Sequence, residues 1–252
     1  MKKERIGKKH LSRILIVVLL SLCAILFIYC IVNNLQTKDN FVLKENPFSQ
    51  SQSNRIKELL LKKPTKETPD ISIEENGRLE YYNYDSIESE FDMEEEAAID
   101  FAKNELKELG ILPNREYRIE ADVIQSFEKS VYFYHTYNGL DIISDEEDGI
   151  IVRINKNGLK SLQYYWSEIV PVSGTNSVSD DSMIDESEAI EIYKRELAKN
   201  HPEIAEEVEN WPVVVSKAYR YTGGKSVKVW VCSDGELYLN SIFVDMLTGE
   251  LV

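Results

Sequence analysis

The three histidines are the first residues to consider, because nucleophilic catalysis by Ser or Cys needs a base nearby. His10 lies in a basic N-terminal stretch, and His201 stands at a predicted helix end, where an imidazole can interact with terminal carbonyls. His135 alternates with Phe133 and Tyr137 in a strand-like run, so we expect it to be bonded to a partner on their face of the strand. The sequence contains no HExxH, GxSxG, P-loop or CxxC motif. We therefore predict that no residue is catalytic and that the protein is not an enzyme.

The acidic run Asp145–Asp148 is the second group that could do chemistry, since carboxylates are hard oxygen ligands for Ca²⁺. It lacks the alternating spacing of an EF-hand loop, and it precedes a predicted strand. We favour a solvated turn over a calcium site, which stays an open alternative. Acidic residues are so numerous that a pair spaced for glycoside hydrolysis is not a specific signal. We predict neither a metal nor a cofactor.

Aromatic side chains indicate recognition rather than catalysis. Many Tyr and Trp residues lie in strand-like stretches, where alternation places some of them on the outer faces of a sheet. Exposed Tyr and Trp favour protein–protein contact, and packing in a sheet core is the alternative for each. Five of them are candidates for a partner-binding surface: Tyr132, Tyr134, Tyr164, Tyr165 and Trp166.

Two similar segments predict the elements that position these residues. EEAAIDFAKNEL (Glu95–Leu106) and ESEAIEIYKREL (Glu186–Leu197) lie 91 residues apart, and both have helical periodicity. Each opens with an Asp-x-x-Glu capping pattern, which starts at Asp92 in the first segment and at Asp185 in the second. Both are followed by aromatic strand-like runs and a glycine-containing hairpin. We infer a duplicated α+β unit, in which one helix packs on an antiparallel sheet.

The polar and apolar stretches of the chain then predict its boundaries. The predicted order is a basic tail (1–13), a membrane span (14–32), a juxtamembrane stalk (33–70), a first unit (71–171), a linker (172–182) and a second unit (183–252). Four glycines are predicted structural turn residues: Gly139, Gly158, Gly235 and Gly249.

The run Ile14–Val32 contains no charge, proline or glycine, and as a helix it spans roughly 28 Å, about one hydrocarbon core. The basic tail before it predicts a cytoplasmic N-terminus and an extracytoplasmic remainder. We favour an uncleaved anchor in the cell membrane over a cleaved signal peptide, because no small-x-small cleavage site follows the run. One stripe of this helix has small residues at its centre and is a candidate contact with a second helix: Val17, Ser21, Ala24 and Ile28.

Charge and cysteine content exclude several classes of protein. The net charge of −15 argues against a nucleic-acid binder, which needs a basic face. Residues 1–32 are locally basic, so the predicted exported part is more acidic than the whole chain. That part contains Cys232 alone, and it therefore folds without an intramolecular disulfide.

An exported unit of one helix followed by strands and a glycine hairpin is similar to the PepSY family of extracytoplasmic modules. A closer resemblance starts at Phe133. The runs FYHTYNG and IIVRINKNGLKSLQYYW, the polar linker, EAIEIYK and the closing pattern from Val229 to Gly249 resemble the C-terminal half of YycI-type regulatory proteins. The resemblance covers roughly residues 130–252. It implies a single-span membrane protein with PepSY-like units that binds and restrains a cell-wall-sensing histidine kinase of Gram-positive bacteria.

The sequence therefore predicts a non-enzymatic, membrane-anchored regulator that acts outside the membrane on a sensor histidine kinase or a related membrane protein. The alternative is a PepSY-like protease-inhibiting module or a cell-wall enzyme. The sequence leaves open the partner, the signal, the sign of regulation and the oligomeric state.

Overall fold

A computed structural model describes residues 40–85, 91–114, 117–125, 127–145, 148–172, 183–234 and 241–252, without the side chains of 123–125. The predicted tail and membrane span lie outside these residues, and so does most of the linker. The span residues Val17, Ser21, Ala24 and Ile28 and the turn residue Gly235 are outside them too. Among the helices of the described ranges, none combines the length and the apolar character that crossing a membrane requires.

The described residues form helices and strands in a mixed order, which confirms the predicted α+β class. The helices are α1 (Gln50–Leu61), α2 (Glu95–Leu109), α3 (Glu186–Asn200) and α4 (Ala205–Val208). The strands are β1 (Phe41–Lys44), β2 (Asp70–Ile73), β3 (Leu79–Tyr82), β4 (Tyr117–Gln125), β5 (Glu128–Tyr137), β6 (Leu140–Ser144), β7 (Gly149–Asn155), β8 (Gly158–Tyr165), β9 (Glu168–Pro171), β10 (Val214–Thr222), β11 (Lys225–Ser233) and β12 (Ile242–Asp245).

One continuous sheet runs through both predicted units. Its order is β12-β11-β10-β6-β5-β7-β8-β3-β2, with β4 also paired to β5, and β1 and β9 form a separate pair. Neighbouring strands are antiparallel, apart from β6 and β10, which pair in parallel over Ala218–Tyr221. Two separate antiparallel sheets were expected. They are joined because β6 continues past the β5 hairpin and lies beside the first strand of the second unit.

Each of the two long helices packs on one face of the strands of its own unit. Helix α2 buries Ala98, Ala102 and Leu106 in a first core, whereas α3 buries Ala189 and Tyr193 in a second. Their first residues lie 91 positions apart, as do their last residues, in agreement with the repeat seen in the sequence.

The caps of these two helices differ. The Asp185 side chain accepts a hydrogen bond from the amide of Glu188 at 2.9 Å, as the capping pattern predicts. The prediction for Asp92 is wrong, since helix α2 has Glu94 at its N-cap with no side-chain bond. Glu95 and Glu96 lie in its first turn, where carboxylates stabilise the positive end of the helix dipole without capping it directly.

Much of the predicted stalk belongs to the folded part of the chain. Helix α1 begins with a capping box between Ser49 and Gln52, and it buries Ile56 and Leu60 in the first core. Strand β1 pairs with β9. A short helix with two buried positions has too brief an apolar stripe to distinguish it from a polar stalk in the sequence.

Phe41 anchors β1 at the junction of the two units. Its side chain is 1% exposed, and its ring centroid lies 4.8 Å from that of Tyr137 and 5.3 Å from that of Tyr219. Its amide donates to Ser226 Oγ at 2.8 Å. Strand β1 therefore contacts residues of both units.

Turn glycines hold the hairpins in left-handed conformations. Gly139, Gly158 and Gly249 have φ values of 77°, 105° and 70°. At Gly77, where φ is 92°, an added Cβ would also overlap the carbonyl oxygen of Asn46. Both the backbone conformation and the lack of space therefore exclude a larger residue here.

Candidate functional site

A groove of about 460 Å³ crosses the sheet on the face away from α2. Strands β5, β7 and β8 form it. Their alternate side chains, such as Phe133, Ile150 and Val152, pack in the first core. Because side chains alternate along a strand, Tyr132 and Tyr134 lie on the opposite face, which the groove occupies.

Two cross-strand rows build the floor and walls of this groove. Tyr134 pairs with Gly149, which pairs with Tyr165. In the next row, Tyr132 pairs with Ile151. Directly opposite residues have Cβ atoms about 5 Å apart, so the absent side chain of Gly149 leaves room between two tyrosine rings. The groove therefore has an apolar floor and aromatic walls.

Arginines flank the groove at two sides. The guanidinium of Arg118 lies 4.1 Å from the ring centroid of Tyr134, and it forms ion pairs with Asp141 at 2.7 Å and with Glu120. The hydrogen bonds that the guanidinium donates to Asp141 raise the pKa of Arg118, so this cation keeps its charge at all working pH values. On the other side, Arg78 pairs with Glu80 at 3.1 Å. Tyr and Arg are the residue types enriched in protein–protein interfaces.

Of the five aromatic candidates, Tyr132, Tyr134 and Tyr165 come together in the groove. The side chains of Tyr164 and Trp166 lie instead in the first core, 6% and 7% exposed. Their positions, two residues apart, put them on one face of β8 and its extension, whereas Tyr165 between them faces outward. The ring of Tyr164 packs on that of Phe48, with their centroids 5.5 Å apart. Burial raises the pKa of the Tyr164 hydroxyl.

Sequence reasoning missed several residues of the groove. Gly149 and Ile151 carry no polar or aromatic side chain, so the sequence alone does not mark them as parts of a binding surface. Gln163 lies in β8 and Arg78 stands directly before β3, and the sequence does not show that these two strands are neighbours. The only available signal was the odd–even alternation around Tyr132 and Tyr134.

A buried pair lies beneath one end of the groove. His135 Nδ1 and Asp148 Oδ2 are 2.6 Å apart, and both side chains are fully buried. Asp148 Oδ1 accepts a hydrogen bond from the Ser167 amide at 2.9 Å, and the imidazole stacks on Trp166 with centroids 4.1 Å apart. His135 is thus bonded to a partner, as its alternation predicted. Its Nε2 is buried and has no hydrogen-bond partner among the described residues, so it does not reach the groove as a base.

The described acids of the run 145–148 bond to different partners. Asp145 pairs with Arg220, whereas Asp148 bonds to His135. No group of three or more His, Cys, Asp or Glu side chains placed to hold a metal occurs in the described ranges. Cys232 is a free buried thiol in the second core, and burial raises its pKa to about 11.

Comparison with known proteins yields little similarity. No protein-family model matches the chain, and no curated protein matches it. Among solved structures, the YpeB C-terminal domain of Bacillus megaterium is similar over 82% of this chain and 96% of that chain, with a TM-score of 0.40 and 10% sequence identity. Because the last two values are low, the residues of this chain alone carry the functional inference.

Proposed function

We propose that the protein is a non-enzymatic, membrane-anchored regulator whose extracytoplasmic domain binds a membrane sensor histidine kinase and shifts its signalling equilibrium. The observation that carries the proposal is the groove walled by Tyr132, Tyr134 and Tyr165. The predicted span at 14–32 and the YycI-type resemblance of residues 130–252 support the kind of partner.

The groove offers the surface that protein recognition uses. Tyrosine rings supply a large contact area with few rotatable bonds, and their hydroxyls can hydrogen-bond at the rim. The carboxylate of Asp148 adjoins the groove, but it is buried and bonded to His135 and to Ser167. The groove therefore provides recognition rather than proton transfer.

Charge favours specific contacts over adsorption. The chain carries −15 overall although residues 1–32 are locally basic, so the predicted exported part is more acidic than the whole chain and repels anionic lipids and wall polymers. A bound regulator shifts a kinase only if it binds one kinase state better than the other.

Co-purification of the full chain from membranes after mild crosslinking tests the proposal. We expect a histidine kinase with the wild type, and a recovery reduced severalfold for the double variant Tyr132→Ala/Tyr165→Ala. Tyr84→Ala is the matched control, because Tyr84 is an exposed tyrosine outside the groove. Recovery of no kinase, or equal recovery with all three chains, would contradict the proposal.

A further inference from the structure

A row of polar side chains continues the groove along the same face of the sheet. Ser130 pairs with Arg153, and Arg153 pairs with Ser161. Each lies two residues along its strand from a groove residue, namely Tyr132, Ile151 and Gln163, respectively. The row therefore lies about 7 Å beyond the groove floor, on the same side of the sheet.

Three buried polar atoms in this row have no hydrogen-bond partner among the described residues: Ser130 Oγ, Arg153 Nε and Ser161 Oγ. Ser130 is 0% exposed and Ser161 is 3% exposed, whereas Arg153 is partly exposed. Buried polar groups in folded proteins are nearly always bonded, so three such atoms in neighbouring positions indicate a function. All three can donate, and a guanidinium flanked by hydroxyls suits an anionic acceptor.

The surrounding charges are compatible with such an acceptor. The guanidiniums at the sides of the groove are already paired, Arg118 with Asp141 and Arg78 with Glu80. Arg153 forms no ion pair with a described acid. Asp122 lies one strand beyond Ser130 in the same row and has a bonding partner of its own.

We propose that the groove and this row together recognise an extended peptide segment that places a carboxylate on Arg153. The inference rests on the proposed function in that the groove is the protein-binding surface. A segment lying along β7 would put one side chain over Gly149, a second over Ile151 and the carboxylate over Arg153. These positions are i, i+2 and i+4 of an extended chain, because only alternate residues of the peptide face the sheet.

Synthetic peptides can test both the charge and the spacing. The probe is fluorescein-labelled acetyl-YTVTE-amide, and its binding to the full chain in non-ionic detergent micelles is measured by fluorescence anisotropy. The isostere acetyl-YTVTQ-amide removes the charge. In acetyl-YTVET-amide the glutamate moves to position 4, so its carboxylate faces away from the sheet when the other residues keep their places. We expect the probe to bind about tenfold more tightly than either, the effect of one charge-assisted hydrogen bond.

Variants connect this preference to the row. Arg153→Gln should reduce the ratio between the first two peptides to about one, and Ser130→Ala/Ser161→Ala should lower it in part. Arg195→Gln is the charge-matched control, because Arg195 lies on α3 outside the groove and is paired with Glu196, and it should leave the ratio unchanged. Urea unfolding of each variant identifies any that has lost its fold.

Three results would overturn the inference: no binding of the probe, an unchanged ratio in Arg153→Gln, or equal competition by inorganic phosphate, which would indicate a simple anion site. Membrane co-purification separates this inference from the proposed function. Kinase recovery without a peptide preference refutes only the carboxylate contact, whereas a peptide preference without kinase recovery refutes only the proposed function.

Discussion

The buried pair between His135 and Asp148 predicts a large difference between two substitutions at one position. In Asp148→Ala, the imidazole loses its only described hydrogen-bond partner, and the buried Ser167 amide loses its acceptor. In Asp148→Asn, the side-chain carbonyl can still accept from Ser167, and the amide nitrogen can donate to Nδ1 of a neutral imidazole.

The magnitude follows from the groups left without partners. Each buried donor or acceptor that loses its partner costs about 1–3 kcal/mol, so two such losses together cost about 2–6 kcal/mol. With two groups stranded, we expect Asp148→Ala to lower the free energy of unfolding by about 3–5 kcal/mol. We expect Asp148→Asn to lower it by about 1–2 kcal/mol, because both contacts persist as weaker neutral hydrogen bonds.

Urea unfolding of the full chain in micelles measures this difference by tryptophan fluorescence. Trp166 stacks on His135 and reports directly on the site. Asp145→Ala is the control: its partner is Arg220, it is 51% exposed, and its loss should cost less than about 1 kcal/mol. Equal losses for Asp148→Ala and Asp148→Asn, or a loss for Asp148→Ala no larger than that of the control, would refute the reasoning.

Three further predictions concern stability. Phe41→Ala should cost about 3–5 kcal/mol in urea unfolding and Phe41→Leu less than half as much, because leucine keeps most of the buried volume; equal costs would mean that the aromatic junction contributes little. Burial raises the pKa of Cys232 from 9.0 to about 11, so the folded state keeps a proton that the unfolded state loses. Stability should therefore fall as the pH rises from about 9 to about 11, and the fall should be shallower in Cys232→Ala; parallel pH profiles would contradict this. Gly77→Ala and Gly139→Ala both place alanine at positive φ, which costs about 1–2 kcal/mol. Only at Gly77 would the new Cβ also overlap a backbone oxygen, so the thermal midpoint should fall further in Gly77→Ala than in Gly139→Ala. The reverse order would show that the backbone at Asn46 moves aside at little cost.

Helix positions were predictable from the sequence because their signal is local. The 3.6-residue period and the shared segments located α2 and α3, and the capping pattern at Asp185 marked the start of α3. The burial of helix α1 in the first core and the pairing of strand β1 were missed, because they depend on Ile56 and Phe41 meeting residues far along the chain. The parallel pairing of β6 and β10 has no sequence signature at all, since it depends on how two units dock.

The candidate site was predictable only in part for the same reason. Alternation around Tyr132 and Tyr134 indicates an aromatic strand face, but it does not tell which face lies outside. A shift of one position decides between Tyr165 in the groove and Tyr164 in the core. The role of Arg153 depends on two serines from neighbouring strands, and such a cross-strand row is invisible until the register is known.

The first described residues, 40 and 41, lie beside the end of β9, where the first unit ends and the chain continues toward the second. The amide of Val172, at the end of β9, donates to the carbonyl oxygen of Asn40 at 2.9 Å, and Phe41 pairs with Pro171. The backbone at residue 40 and the backbone that leaves β9 toward the second unit are therefore held together directly. A force applied at residue 40 would therefore load the β1–β9 pair, which contacts both units through Phe41, before it reached either core.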